Sequence, residues 1–239
     1  MNLSFEEIMK KSFVVSIDNE RLNVFKQRLL ENGFSEEILP KHFIGYEISD
    51  KYLTDNFKEL ANLRHSNIHG LFEESLKLIH SLCNNASQFA IVQYAMLLDW
   101  PYVTIFEDDA VPEDNCIEKL NEWCTNIPDD TDVLRIGYLV DTYKIKEKNY
   151  IPPEIVYDHF IVQKFSGSHA YIVFKKYYKR FLESNKNEPR CDYSKINPTA
   201  NKIVYALKES LFKQENILER PVIHSWKLKD GKIKLPLIK

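Results

Sequence analysis

The sequence predicts an α/β fold in which a mostly parallel sheet is covered by helices on both faces. Short runs of β-branched and aromatic residues alternate with longer amphipathic segments, which is the order of elements in such sheets. The first run, Phe13–Ile17, is followed by a polar turn and by a helical pattern over Leu22–Glu31. The runs are mostly apolar, as expected for strands buried on both faces. A chain of 239 residues, 44% of them apolar, is long enough to bury these runs in one domain, residues 1–239.

The remaining elements follow from the same two periodicities. Strands are predicted at 43–46, 102–106, 133–137 and 170–174, and helices at 71–82, 87–98, 115–124, 175–183 and 201–213. Ser87 is expected to cap the helix that it begins, and Pro101 separates that helix from the next strand. Residues 141–159 and 184–200 combine prolines, charges and tyrosines without clear periodicity, so they are predicted to be loops.

Charge and composition exclude several classes of protein. The formal net charge of −3 gives the chain no overall attraction for nucleic acid, and no run of 18 apolar residues would span a membrane. The N-terminus lacks the apolar segment of a secretory signal, and the four cysteines form no CxxC pair, so we expect a cytoplasmic protein with reduced thiols. The lysine-rich segments Lys175–Arg180 and Lys227–Lys239 are expected to be solvated. The alternative is a weak peripheral contact with the inner membrane face or an anionic glycan.

Three consecutive carboxylates, Glu107, Asp108 and Asp109, directly follow the predicted strand at 102–106. Carboxylates at this spacing raise one another's pKa unless a cation neutralises them. The carboxyl ends of strands are also where open α/β sheets bind ligands. The pattern therefore predicts a site for Mg²⁺ or Mn²⁺, which would in turn bind a diphosphate. The alternative is a solvated acidic turn, since acidic triplets are common in loops.

Four blocks of the sequence resemble glycosyltransferase family 25, which includes lipooligosaccharide galactosyltransferases. Ile105–Pro112 resembles the acidic signature of that family, and Val14–Arg21 resembles its first strand and polar turn. Ala86–Phe89 lies at the distance of a Ser-His pair in the family, but here Gln88 replaces the histidine. Gly167–Ile172 resembles a later glycine and Ala-Tyr strand. The similarity covers about two-thirds of the chain in scattered blocks.

The resemblance implies a GT-A type, Rossmann-like fold that binds a metal ion and a nucleotide-sugar. Mn²⁺ or Mg²⁺ would be held chiefly by Asp109, with Glu107 as a second ligand. His224 is a candidate for a late histidine ligand, and the alternative is a residue at the end of a strand. The donor would be bound mainly by residues 1–112 and the acceptor mainly by residues 113–239.

The resemblance also suggests which residues contact the donor. Ser16 and Asp18 would bond the base or the ribose, and Arg21 would reach a phosphate. The alternative for Arg21 is an ion pair at the surface. The other candidate contacts to the donor, or to the sugar and acceptor, are Asp108, Ser87, Gln88 and His169.

A catalytic base is needed only if the anomeric carbon is inverted during transfer. Asp192 is the candidate, because it lies in the predicted loop after the last clear strand–helix unit. Glu188 is the rival, and either residue is also compatible with an exposed acid that has no catalytic role.

Together with the acidic triplet, the resemblance implies a metal-dependent hexosyltransferase. It would move a hexose, with galactose favoured, from a UDP-sugar to a glycan or lipid-linked saccharide acceptor, in the synthesis of bacterial surface polysaccharide or lipooligosaccharide. One alternative is a metal-dependent nucleotidyltransferase or phosphohydrolase that uses the same acids. Another is a catalytically inactive protein that binds nucleotide-sugars.

Overall fold

The computed structural model describes residues 1–46, 71–139, 155–157, 159–162, 166–183, 196, 202–215, 228–229 and 232–233, with only the backbone of 71–82, 155–156, 228–229 and 232–233. Its α-helices are α1 (Phe5–Lys10), α2 (Asn19–Glu31), α3 (Leu71–Leu97), α4 (Cys116–Trp123) and α5 (Tyr178–Glu183). Short 3-10 helices occur at Glu36–Ile38, Cys124–Asn126 and Lys175–Tyr177. None of the helices described here is long and apolar enough to cross a membrane.

The strands are β1 (Ser12–Ser16), β2 (Lys41–Ile44), β3 (Tyr102–Glu107), β4 (Ala110–Pro112), β5 (Val133–Leu139), β6 (Ile155–Tyr157), β7 (Phe160–Ile161), β8 (Ser166–Phe174), β9 (Val204–Leu207), β10 (Phe212–Gln214), β11 (Leu228–Lys229) and β12 (Lys232–Ile233). All but β11 and β12 belong to one sheet of ten strands, in the order β2-β1-β3-β8-β5-β9-β7-β6, with β10 paired to both β4 and β5. β1 is parallel to β2 and β3, and β5 is parallel to β9, but β8 runs antiparallel between β3 and β5. The α/β class is confirmed, and the sheet is mixed because an antiparallel strand lies at its centre.

Alternation of side chains along the strands builds a core on each face of the sheet. In β3, Tyr102 and Phe106 pack with residues of α1, α2 and α4, whereas Val103 and Ile105 pack with residues of α3 and α5. The rings of Phe25 in α2 and Phe106 lie with centroids 5.9 Å apart. The prediction of helices on both faces is therefore confirmed.

Several local predictions are wrong. The predicted helices at 71–82 and 87–98 are one continuous helix, α3, and the loop predicted at 141–159 contains strand β6. The helix predicted at 201–213 is replaced by strands β9 and β10. Val204, Leu207 and Leu211 have helical spacing, but the strand pairing of β9 with β5 and β7 overrides it. Tertiary context decides such short segments.

Candidate functional site

The acidic turn lies at the carboxyl ends of two neighbouring parallel strands. In the register of β1 and β3, Val15 is opposite Glu107. The next residues along the two strands, Ser16 and Asp108, therefore meet at the same edge of the sheet. The Ser16 hydroxyl donates a hydrogen bond of 2.6 Å to Oδ2 of Asp108. The structure thus brings together the first strand and the acidic triplet, which are far apart in the sequence.

Asp108 is neutralised from within the protein. Its other oxygen, Oδ1, accepts a hydrogen bond from the guanidinium of Arg21, with which it forms an ion pair. Asp18 sets the start of α2, because its Oδ1 accepts bonds from the backbone N–H groups of Glu20 (2.7 Å) and Arg21 (3.4 Å). This cap places the Arg21 side chain in the first turn of α2, next to the acidic turn. Arg21 therefore makes an ion pair, but with a buried carboxylate rather than at the surface, and Asp18 acts as a helix cap.

Glu107 is partly buried on the face of the sheet that is covered by α3, opposite to the face on which Asp108 meets α2. Its Oε1 accepts hydrogen bonds from Asn84 (2.7 Å), Gln88 (3.2 Å) and Ser168 (2.5 Å). Burial, followed by the charge of Asp109, raises the pKa of Glu107 to about 7, although the bonds from Ser168 and Asn84 act in the opposite direction. Glu107 is thus a carboxyl group that takes up a proton near neutral pH unless a cation approaches it.

The side chain of Gln88 connects Glu107 to the core. Gln88 is fully buried, and its Nε2 donates to Oδ1 of Asn84 (3.2 Å) as well as to Glu107. Its Oε1 accepts a 2.7 Å bond from the hydroxyl of Tyr171 in β8.

Ser87 is also fully buried and lies inside α3, so it does not cap a helix as predicted. Its Oγ donates a hydrogen bond to the carbonyl oxygen of Cys83 (2.8 Å) and accepts one from the N–H of Tyr46 (3.0 Å).

Asp109 is buried and faces β10. Its Oδ2 accepts a 2.9 Å hydrogen bond from Nε2 of Gln214, and its carbonyl oxygen accepts one of 2.9 Å from the N–H of Glu215. The pairing of β4 with β10, in which Ala110 is opposite Gln214, continues this connection. The acidic turn is therefore fixed from three sides, by α2, α3 and β10.

His169 lies in the interior behind the turn. It is fully buried between two glycines: a Cβ at Gly137 would lie 2.8 Å from its Nε2, and one at Gly167 would lie 2.9 Å from its Nδ1. Nε2 is 2.7 Å from the carbonyl oxygen of Phe212 in β10. Burial lowers the pKa of His169, so the ring is neutral at pH 7 and Nε2 donates this bond. The buried guanidinium of Arg135 donates to the carbonyl of Ser166 (2.7 Å) and to that of Gly167, which fixes the start of β8.

Sequence reasoning missed several residues of this site: Asn84, Arg135, Ser168 and Gln214. Asn84 is one helical turn before Gln88, so the i, i+4 spacing was the available signal. Ser168 lies inside the block Gly167–Ile172 that was singled out for other residues. Gln214 carried no signal, because it directly follows residues 201–213, which were assigned to a helix rather than to strands. Two predicted site residues, Asp192 and His224, lie outside the described residues, as does Glu188.

The donor set suits a cation held by few protein ligands. Among the residues that the structure describes, no group of three or more His, Cys, Asp or Glu side chains is arranged around a metal position. Asp108 binds Ser16 and Arg21, and Asp109 is close enough to Glu107 for its charge to raise the pKa of Glu107. Mg²⁺ and Mn²⁺ are commonly held by one or two carboxylates together with phosphate oxygens and water. Glu107 and Asp109 fit that pattern.

Sequence comparisons with known proteins do not assign the chain to a family. No protein-family model matches the chain, and no curated protein is significantly similar to it in sequence.

Proposed function

We propose that this protein is a metal-dependent glycosyltransferase of the GT-A type that transfers a hexose from a UDP-sugar. The observation that supports the proposal best is the acidic turn at the shared carboxyl edge of β1 and β3. There Arg21 pairs with Asp108, and the charge of Asp109 raises the pKa of Glu107, so these two carboxylates lie close together. A ligand-binding edge in this position is the general rule for sheets of this class. The type of reaction is proposed from the blocks of sequence that resemble glycosyltransferase family 25. The same resemblance favours galactose as the transferred sugar.

Each residue of the site would have a different role in binding the donor. The bound cation would neutralise the diphosphate that leaves with the nucleotide. Glu107 and Asp109 would hold that cation, and Arg21, in the first turn of α2, would offset the negative charge of Asp108 beside the diphosphate. Asp18 keeps that helix end in place, and Ser16 orients Asp108. His224 as a further metal ligand and Asp192 as the base remain proposals from the sequence.

The acceptor is proposed to be a glycan or a lipid-linked saccharide of a bacterial surface polysaccharide or lipooligosaccharide. We propose that the transfer takes place on the cytoplasmic side, with at most weak contact between the protein and the inner membrane. This location rests on the sequence features alone. Ser87, Gln88 and His169 are fully buried, which favours a role in supporting the site rather than contacting the donor.

A thermal-shift panel tests the proposal. The protein is incubated with UDP, UDP-galactose, UDP-glucose, UTP and ATP, each with and without Mn²⁺, because a ligand stabilises only the state that binds it. Stabilisation by UDP and UDP-hexoses that requires Mn²⁺ is expected. Preference for UTP or ATP would point to a nucleotidyltransferase and refute the proposal, and so would the absence of any response.

Release of UDP from the best donor then tests catalysis. We expect slow hydrolysis of the donor with Mn²⁺ and faster release when a suitable saccharide acceptor is added. Donor binding without any UDP release would instead support an inactive nucleotide-sugar-binding protein.

A further inference from the structure

Glu107 presents its two carboxylate oxygens to different surroundings. Oε1 accepts hydrogen bonds from three side chains, those of Asn84, Gln88 and Ser168, at 2.5 to 3.2 Å. Oε2 accepts no hydrogen bond from the described residues, and the side chain keeps part of its surface exposed. A carboxylate held in this way by one oxygen cannot rotate without breaking several bonds. Its second oxygen therefore remains in a fixed position for a ligand.

Gln88 is the member of this set that links Glu107 to the rigid core. Its amide donates to Glu107 and Asn84 and accepts from the hydroxyl of Tyr171. An ionised carboxylate accepts hydrogen bonds and donates none, so the amide nitrogen must face Glu107 and the amide oxygen must face Tyr171. Tyr171 is fully buried in β8, at the centre of the sheet. The orientation of Glu107 is thus set from the middle of the fold through one buried amide.

We infer that Gln88 is a positioning residue that, held by Tyr171, fixes Oε1 of Glu107 and thereby orients Oε2 toward a bound divalent cation. The inference rests on the proposed function, in which Glu107 is a metal ligand. Partners that orient a ligand in this way typically change metal affinity or activity by about 10- to 100-fold when they are removed.

The chemistry of the amide explains why a neutral side chain occupies this position. The position requires a donor toward Glu107 and an acceptor toward Tyr171 in one group. Glutamine meets both needs without adding charge, and a neutral imidazole, with one N–H and one bare nitrogen, would do the same. Methionine has a similar length and volume but offers neither group in useful strength. Gln88→Met and Gln88→His therefore separate hydrogen bonding from packing.

The test measures binding of Mn²⁺ alone, by the loss of the paramagnetic resonance signal of the free ion, and donor turnover in the same preparations. We expect Gln88→Met to weaken Mn²⁺ binding about tenfold or more and to lower kcat more than it changes the donor KM. Gln88→His should recover most of both losses. Gln93→Met, the same substitution at an exposed position of α3, should behave like the wild type.

Tyr171→Phe provides a second variant that removes one hydroxyl and leaves the volume almost unchanged. Because the hydroxyl of Tyr171 donates to Gln88, which in turn donates to Glu107, its loss should weaken Mn²⁺ binding in the wild-type background and add little in the Gln88→Met background. Additive effects of the two substitutions would overturn the inference. So would Gln88→Met with wild-type Mn²⁺ affinity, or Gln88→His as impaired as Gln88→Met.

The outcomes also separate this inference from the proposed function. Mn²⁺ binding that depends on Gln88, without turnover of any UDP-hexose, would refute the transferase and support the positioning role. Turnover of a UDP-hexose that is unchanged by the substitutions of Gln88 would support the transferase and refute the positioning role. A wild-type protein that neither binds Mn²⁺ nor turns over a donor would overturn both.

Discussion

Replacing Glu107 by glutamine should make the protein more stable at alkaline pH. Burial raises the pKa of Glu107 from an ordinary value of 4.5 to about 7, so folding opposes ionisation of this group. Below pH 4.5 the carboxyl is protonated in both the folded and unfolded states and has no pH-dependent effect. As the pH rises from 4.5 to 7 the unfolded state ionises first, and the stability of the folded state falls until it levels off above pH 7. Glutamine mimics the protonated form and avoids this loss.

The magnitude follows from the shift. One pKa unit corresponds to about 1.4 kcal/mol, so the shift from 4.5 to about 7 corresponds to at most about 3.5 kcal/mol. The amide oxygen of a glutamine can still accept from Asn84, Gln88 and Ser168, and its NH₂ group would take the position of Oε2, which accepts no bond from the described residues. We therefore expect Glu107→Gln to be about 2–3 kcal/mol more stable than the wild type at pH 8 and about equal at pH 4.5.

Urea unfolding of both proteins in metal-free buffer, at intervals between pH 4.5 and pH 8.5, measures this difference. Glu118→Gln, an exposed position in the first turn of α4, controls for the substitution itself. A difference between wild type and Glu107→Gln that stays constant over this range would refute the reasoning, because only a titrating group makes it grow with pH. A difference that grows as the pH falls would have the wrong sign.

Three further substitutions test other parts of the site. Asp109→Ala should abolish transfer in UDP-release assays; activity within about tenfold of wild type, a loss of only ~1.4 kcal/mol of barrier lowering, would remove Asp109 from the metal site. Arg21→Ala leaves the nearly buried Asp108 without its ion-pair partner and should lower urea stability by about 1–3 kcal/mol, with Arg21→Lys recovering part of it; no loss would show that the pair is not stabilising. Gly137→Ala should cost about 1–3 kcal/mol in the same assay, because its Cβ would meet His169 at 2.8 Å; an unchanged stability would contradict this packing.

The sequence predicted those features that depend on local pattern. Strands β1, β3, β5 and β8 and helices α2 and α4 lie where periodicity placed them, within a few residues. The acidic turn lies at the end of a buried strand, as expected from Glu107–Asp109 after the apolar run. Each of these features is set by residues that are neighbours in the chain, so a single sequence contains the information.

The features that the sequence did not predict depend on contacts between distant segments. The antiparallel direction of β8 at the centre of the sheet has no local signature. The bond from Ser168 to Glu107 and that from Gln214 to Asp109 join residues 61 and 105 positions apart. The alternation rule, however, would have shown that Glu107 shares a face with Ile105 and so points toward the helix that covers that face. Asn84 and Gln88 on that helix were then the natural partners to look for.

The same alternation explains how three adjacent carboxylates can be tolerated at one turn. Successive side chains of a strand point to opposite faces, so Glu107 is directed toward α3 and Asp108 toward α2. Asp109 follows the strand and is turned toward β10. Each acid therefore meets a different set of donors. Asp108 forms an ion pair with Arg21, whereas Glu107 accepts hydrogen bonds from neutral amide and hydroxyl groups. Neutral donors fix the position of a carboxylate without neutralising it, which leaves Glu107 suited to an external cation and gives it a pKa that such a cation would lower.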